Sequence, residues 1–187
     1  MSDRQLAERV MVIASGNAGK IREFTNLLAH LPLDIKPQPT DLNVEETGSS
    51  FAENARIKAT AVAKATGHWA LADDSGLSVL ALNGAPGVHS ARYASTDSQR
   101  ISRLLRELDG IENRHAHFNA ALCIASASNE ILLEVEGRCD GVITKEPRGS
   151  DGFGYDPIFE LKNTGLTFAE MTMEQKRLWS HRGRAFK

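Results

Sequence analysis

Apolar and polar positions change their period along this chain, and the changes mark out its elements. Residues 10–14, Val-Met-Val-Ile-Ala, are an unbroken apolar run, as expected of a strand covered on both faces. Beyond it, Ile21, Phe24, Leu27, Leu28 and Leu31 share one helical stripe that stops before Pro32. Residues 33–39 predict a short second strand, with Pro37 and Pro39 keeping it at an edge or ending it. A helix over 50–66 opens with Ser50 and Glu53 in capping-box spacing and closes at Gly67. Residues 68–72 lead back into an apolar approach that ends at Asp73-Asp74-Ser75-Gly76-Leu77. Ile101, Leu104, Leu105 and Leu108 form the core stripe of a helix over 97–108, closed by Asp109-Gly110. Residues 118–127 and 130–137 predict a hairpin turned at Ser128-Asn129, its second arm partly alternating and so half solvated. A final helix is capped by Thr172 with Gln175 three residues on, and it carries Lys176 and Ser180 on one face. Strands alternating with helices, without repeats or linkers, predict one α/β unit.

Length and charge narrow the picture. At 187 residues the chain suits one large domain, 1–187, with 1–8 as a frayed or helical leader. It is 41% hydrophobic and 25% charged with net charge −2, so nothing suggests a surface that coats nucleic acid or binds a membrane. The 10–14 run is too short to span a bilayer and lacks the form of a signal peptide. Cys123 and Cys139 have neither zinc spacing nor a disulfide framework, so they read as buried thiols in a reducing cytoplasm.

Candidate chemistry lies where polar residues interrupt the pattern. Asp73 and Asp74 are adjacent on an extended approach, so they face opposite ways and do not share one job. One can hold a metal or brace a loop while the other faces a reacting water; an Asx-type turn at the end of a strand is the plainer alternative. Ser15-Gly16-Asn17-Ala18-Gly19-Lys20 joins a strand to a helix, the arrangement that aims backbone N–H groups at a phosphate, although it does not match the Walker pattern. Lys58 stands in the middle of the stripe made by Phe51, Ala55 and Val62. A lysine there either snorkels to water or reaches an anion. Glu45-Glu46-Thr47-Gly48 is an acidic loop just ahead of that helix, open to metal binding. Gly149-Ser150-Asp151-Gly152-Phe153-Gly154-Tyr155-Asp156-Pro157 suits a ligand-facing loop, with Phe153 or Tyr155 as a stacking face. His115 and His117, two apart and without a third ligand, read as structural or surface residues.

Taken together, these motifs closely resemble the inosine triphosphate pyrophosphatase family, the dITP/XTP diphosphatases, over residues 10–187. They occur in one order: the 15–20 loop, Phe51-x-Glu53-Asn54-Ala55-x-x-Lys58-Ala59, Asp73-Asp74-Ser75-Gly76-Leu77, Gly84-Ala85-Pro86-Gly87-Val88-x-Ser90-Ala91-Arg92-Tyr93, the 152–159 loop, and Ser180-His181-Arg182. The resemblance implies a long mixed central sheet flanked by helices, with two lobes around an active-site cleft, usually in a homodimer. It implies Mg²⁺-dependent hydrolysis of ITP, dITP and XTP to the monophosphate and pyrophosphate. Position by position, Ser15, Gly16, Asn17, Ala18, Gly19 and Lys20 would hold the triphosphate, with Lys58 and Lys176 as further cations. Asp74 would be proton acceptor and metal ligand, Glu45 the other metal ligand, and Ser75 a substrate contact. Phe153, Gly154, Tyr155, Asp156, His181 and Arg182 would form the purine pocket. A pyrophosphatase for pyrimidine or modified nucleotides, or a nucleotide-binding module without catalysis, would share part of this machinery.

Overall fold

The computed structural model describes residues 9–186; the leader expected at 1–8 lies outside the described residues. In chain order the elements are β1 (Arg9–Ile13), α1 (Ala18–Leu27), β2 (Leu33–Pro37), α2 (Phe51–Thr66), β3 (Trp69–Val79), α3 (Asp97–Glu107), β4 (His115–Ala125), β5 (Ile131–Ile143), β6 (Phe159–Leu161), α4 (Met173–Trp179) and α5 (His181–Ala185). The strands form one sheet in the order β2-β1-β3-β4-β5-β6. It is mixed: β1 is parallel to both β2 and β3, while β5 and β6 are antiparallel. A mixed sheet flanked by helices is therefore what the chain forms.

The chain divides into two compact units. The first holds the described residues up to Asp74, residues 121–136 and Phe186; the second holds 75–120 and 137–185. Each has its own core. In the first, Val12, Ala14, Ala70 and Ala72 pack with Ala55, Ala59, Val62 and Ala63 of α2 and with Ala121, Cys123 and Ala125. Small side chains predominate there because a helix lies close on strands already buried on both faces. In the second, Leu77, Val79, Leu104, Leu108, Phe118, Cys139, Tyr155, Phe159 and Phe168 make a larger, aromatic core. Phe118 meets Phe159 edge to face at 4.7 Å and stacks on His181 at 4.7 Å.

Two departures from the predicted pattern matter for function. β3 does not turn at Asp73-Asp74 but runs straight through to Val79. The last helix is not continuous: Ser180 takes an extended conformation (φ −71°, ψ 163°) between α4 and α5. Its Oγ then accepts the Gly183 N–H at 3.0 Å, as an N-cap does. Gly183 makes the break possible, since a Cβ there would lie 1.7 Å from the Arg177 carbonyl oxygen. Lys176 and Ser180 consequently do not share a helical face.

Candidate active site

Register brings the acidic pair of β3 to the phosphate-type loop. Val12 pairs with Ala70 and Ile13 with Leu71, and the Ala14 N–H continues the ladder to the Leu71 carbonyl at 2.8 Å. The loop that follows β1 therefore leaves the sheet level with Asp73 and Asp74, at the carboxyl end of parallel strands where open α/β sheets bind ligands. Asn17 caps α1, its Oδ1 accepting from Gly19 N–H at 2.9 Å and Lys20 N–H at 3.2 Å. Gly16, Asn17 and Ala18 are exposed. Lys20 reaches back to Asp73 Oδ1 at 2.8 Å.

Asp73 and Asp74 do take separate partners, as alternation along a strand requires. Lys58 is buried and does not snorkel: its Nζ donates to the Asp73 carbonyl at 2.5 Å, pairs with Glu46 at 3.1 Å and stands 3.8 Å from Asp74 Oδ1. The acidic neighbour drawn to this lysine is Glu46, half-buried, while Glu45 is exposed. Asp74 Oδ2 is buried with no hydrogen-bond partner among the described residues. Loss of water is the main reason its carboxyl is pushed up to about 6; Lys58 opposes the rise and Glu46 adds to it. The carboxylate loop itself is anchored at Gly48, whose N–H donates to Asn54 Oδ1 at 2.8 Å. The capping box at the start of α2 is half formed: Ser50 Oγ accepts from Glu53 N–H, and the Glu53 carboxylate turns to the Ser49 N–H.

The second unit gathers the other motif residues. Asp156 Oδ2 accepts the Phe153 N–H at 3.0 Å and the Lys176 ammonium at 2.6 Å, all of it buried or half-buried. Lys176 was expected on the phosphates; here its charge meets Asp156, and its Nζ stands 4.8 Å from the Phe153 ring centroid. Gly152 is at φ +76°, and a Cβ on it would sit 2.1 Å from Asp156 Oδ2, so only glycine lets the loop close over that carboxylate. The Gly154 N–H donates to Asp97 Oδ2 at 2.9 Å. Tyr155 belongs to the core, its hydroxyl donating to the Ser90 carbonyl at 2.7 Å, and burial raises its pKa. That leaves Phe153 as the half-buried aromatic face of the loop. Arg182 lies 5.3 Å over the Phe153 ring and donates from Nη2 to Ser75 Oγ at 2.7 Å. His181 is stacked on Phe118, with Nδ1 4.0 Å from Cys139 Sγ. Burial pushes the Cys139 thiol up to about 12, so it stays neutral.

The model of the Ham1 family matches residues 11–187. The chain belongs to the Ham1 family. A dITP/XTP pyrophosphatase from Prochlorococcus marinus (strain MIT 9313) is 73% identical over 186 residues, 100% of this chain and 92% of that protein. One from Synechococcus sp. (strain CC9311) is 64% identical over 181 residues, 97% of this chain and 88% of that protein. Among solved structures, a HAM1 protein from Coxiella burnetii superposes with a TM-score of 0.83 at 43% identity, covering 95% of this chain and 94% of that one. The resemblance drawn from the ordered motifs is thereby borne out.

Two residues of this candidate site had no signal of their own in the periodicity. Glu46 differs from Glu45 only by which of two loop acids faces inward, and an irregular loop has no period to decide it. Asp97 reaches Gly154 across 57 positions. Asn54 was visible in one respect: it lies four residues before Lys58, hence on the same buried stripe of α2.

Proposed function

We propose that this chain hydrolyses dITP, ITP and XTP to the nucleoside monophosphate and pyrophosphate, clearing deaminated purines from the nucleotide pool. The observation that carries this reading is Asp74, a buried carboxylate beside a lysine with one oxygen unpartnered among the described residues. It stands in a Ham1-family chain whose relatives are named dITP/XTP pyrophosphatases. With its carboxyl near 6, Asp74 is ionised at neutral pH yet basic enough to take a proton from water. As the water oxygen bonds to the α-phosphorus, its proton passes to Asp74 and the bond to the bridging oxygen breaks, releasing pyrophosphate.

Residues 15–20 offer exposed N–H groups at the start of α1 to the phosphates, with Lys20 and Lys58 as nearby cations. Glu45 and Asp74 would hold Mg²⁺. Mg²⁺ characteristically takes one or two carboxylates and completes its shell with water and substrate phosphates, which these two acids and a bound triphosphate would supply. Asp74 Oδ1, 3.8 Å from Lys58 Nζ, keeps lone pairs for such an ion. When bound, Mg²⁺ screens the phosphate charges and stabilises the leaving pyrophosphate.

The base falls to the second unit's residues. Phe153 supplies the stacking face, held in place by Gly154, Tyr155 and the Asp156–Lys176 pair. His181 and Arg182 supply donors for a purine O6, with Ser75 keeping the guanidinium in position. A 6-keto group accepts from those donors, whereas the 6-amino group of adenine sets donor against donor. Each buried polar group left unpaired costs on the order of 1–3 kcal/mol, roughly fivefold to 150-fold in selectivity. We place the protein in the cytoplasm as a homodimer; two buried, unpaired cysteines suit a reducing compartment.

The test is an Mg²⁺-dependent assay over ITP, dITP, XTP, ATP, GTP and pyrimidine triphosphates, with pyrophosphate scored apart from orthophosphate. Pyrophosphate from the 6-keto deaminated purines, with ATP weak, is the expected result. Orthophosphate as product, or ATP used equally well, removes this reading.

A further inference from the structure

The acidic loop and the carboxylate of Asp74 meet at a side chain with no role so far. Asn54 lies one turn before Lys58 on α2 and is 1% exposed. Its Oδ1 accepts the Gly48 N–H at 2.8 Å and so fixes the end of the Glu45-Glu46-Thr47 loop against the helix. The fit has no slack: a Cβ on Gly48 would stand 2.7 Å from that oxygen and 2.7 Å from Glu53 Cβ. Asn54 Nδ2 is buried without a hydrogen-bond partner among the described residues, and so is Asp74 Oδ2. One is a donor and the other an acceptor. Asn54 and Lys58, four residues apart, share the buried face of α2, and Lys58 Nζ stands 3.8 Å from Asp74 Oδ1, so the amide and the carboxylate lie on the same buried side.

Anchoring the loop needs only an acceptor oxygen, which aspartate would supply equally well. A second, buried N–H₂ with nothing to serve costs on the order of 1–3 kcal/mol, so the amide end calls for its own explanation. We infer that Asn54 is a positioning residue for the reaction: its amide oxygen sets the acidic loop, its amide nitrogen presents a donor to Asp74 Oδ2, and one helical side chain thus fixes loop and carboxylate together. Restraining Oδ2 leaves Oδ1, the oxygen 3.8 Å from Lys58, in a defined direction. Misplacing a catalytic group by about 1 Å can cost on the order of a hundredfold in rate. The catalytic meaning of this role rests on the pyrophosphohydrolase reading; the contact itself does not.

Asn54→Asp separates the two ends of the amide, because it keeps the acceptor for Gly48 and loses the donor to Asp74. Adding Asp74→Asn restores a donor opposite an acceptor with the roles exchanged. Melting temperatures of the wild type, both single variants and the double variant are measured with EDTA near neutral pH, and kcat and KM for ITP are measured with Mg²⁺. Asn54→Asp should lower the melting temperature by about 3 °C or more. It should cut kcat on the order of tenfold to a hundredfold with KM little changed. The double variant should melt well above the sum of the single effects. Additive melting, or Asn54→Asp with wild-type kcat, overturns the inference. If the wild type turns over no nucleotide while the cycle is coupled, the activity reading fails and the contact stands. Should Asn54→Asp not fold, Asn54→Ala carries the kinetic test alone: a kcat loss at constant KM supports the role, and unchanged kcat ends it.

Discussion

Asp74 is 5% exposed beside Lys58 and Glu46, and the water it lacks outweighs the lysine it has, so its carboxyl titrates at about 6 where 3.8 is usual. The consequence for stability follows from linkage. Between 3.8 and about 6 the folded chain holds a proton that the unfolded chain has released, so this group's contribution is fully present below the lower value and is lost as pH rises through the upper one. Above that window the buried charge costs up to about 3 kcal/mol. Asp74→Asn should therefore melt higher than the wild type in metal-free solution near neutral pH, with the gap closing toward about pH 4; calorimetry across that range checks it. A gap that is independent of pH would contradict the burial argument. At this scale the chain was partly legible. Adjacent acids on a strand had to face apart, and Lys58 in an apolar stripe had either to snorkel to water or to find an anion, which it does at Glu46. Which loop acid turned inward, and that Lys176 met Asp156, depended on contacts far apart in sequence.

At the scale of elements, periodicity located the strands and helices because each has one buried face. The 50–66 helix was predicted to within a residue, with its N-cap at Ser50 and a left-handed Gly67 closing it. β3 was harder. Asp-Ser-Gly is good turn chemistry in isolation, yet parallel pairing with β1 and burial on both faces carry the strand through it. The break at Ser180 was not legible at all, for local signals favour a continuing helix and the decisive contact is between Gly183 and the Arg177 carbonyl. That contact predicts that Gly183→Ala displaces α5, which carries His181 and Arg182. We expect a loss of stability of roughly 1–3 kcal/mol, as for overpacking, together with a raised KM for ITP. Thermal melting and steady-state kinetics would show it; an alanine variant with unchanged melting and KM would mean that the α4–α5 junction relaxes freely.

At the scale of the whole molecule, each unit carries its own part of the motif set. The first unit carries the loop after β1, the acidic loop, Lys58 and the Asp73-Asp74 pair; the second carries the aromatic loop, the Lys176–Asp156 pair and His181-Arg182. β3 passes from one to the other between Asp74 and Ser75, so the proposed base and the serine that receives Arg182 are consecutive residues. No helix among the described residues is long and apolar enough to cross a membrane. The account turns on water being activated at Asp74 and delivered to the α-phosphorus, and hydrolysis of ITP in ¹⁸O-enriched water tests that directly. Mass spectrometry should find the label in the inosine monophosphate and none in the pyrophosphate, with label transfer lost in Asp74→Asn. Label in the pyrophosphate, or an Asp74→Asn protein that still transfers it at the wild-type rate, would contradict the account.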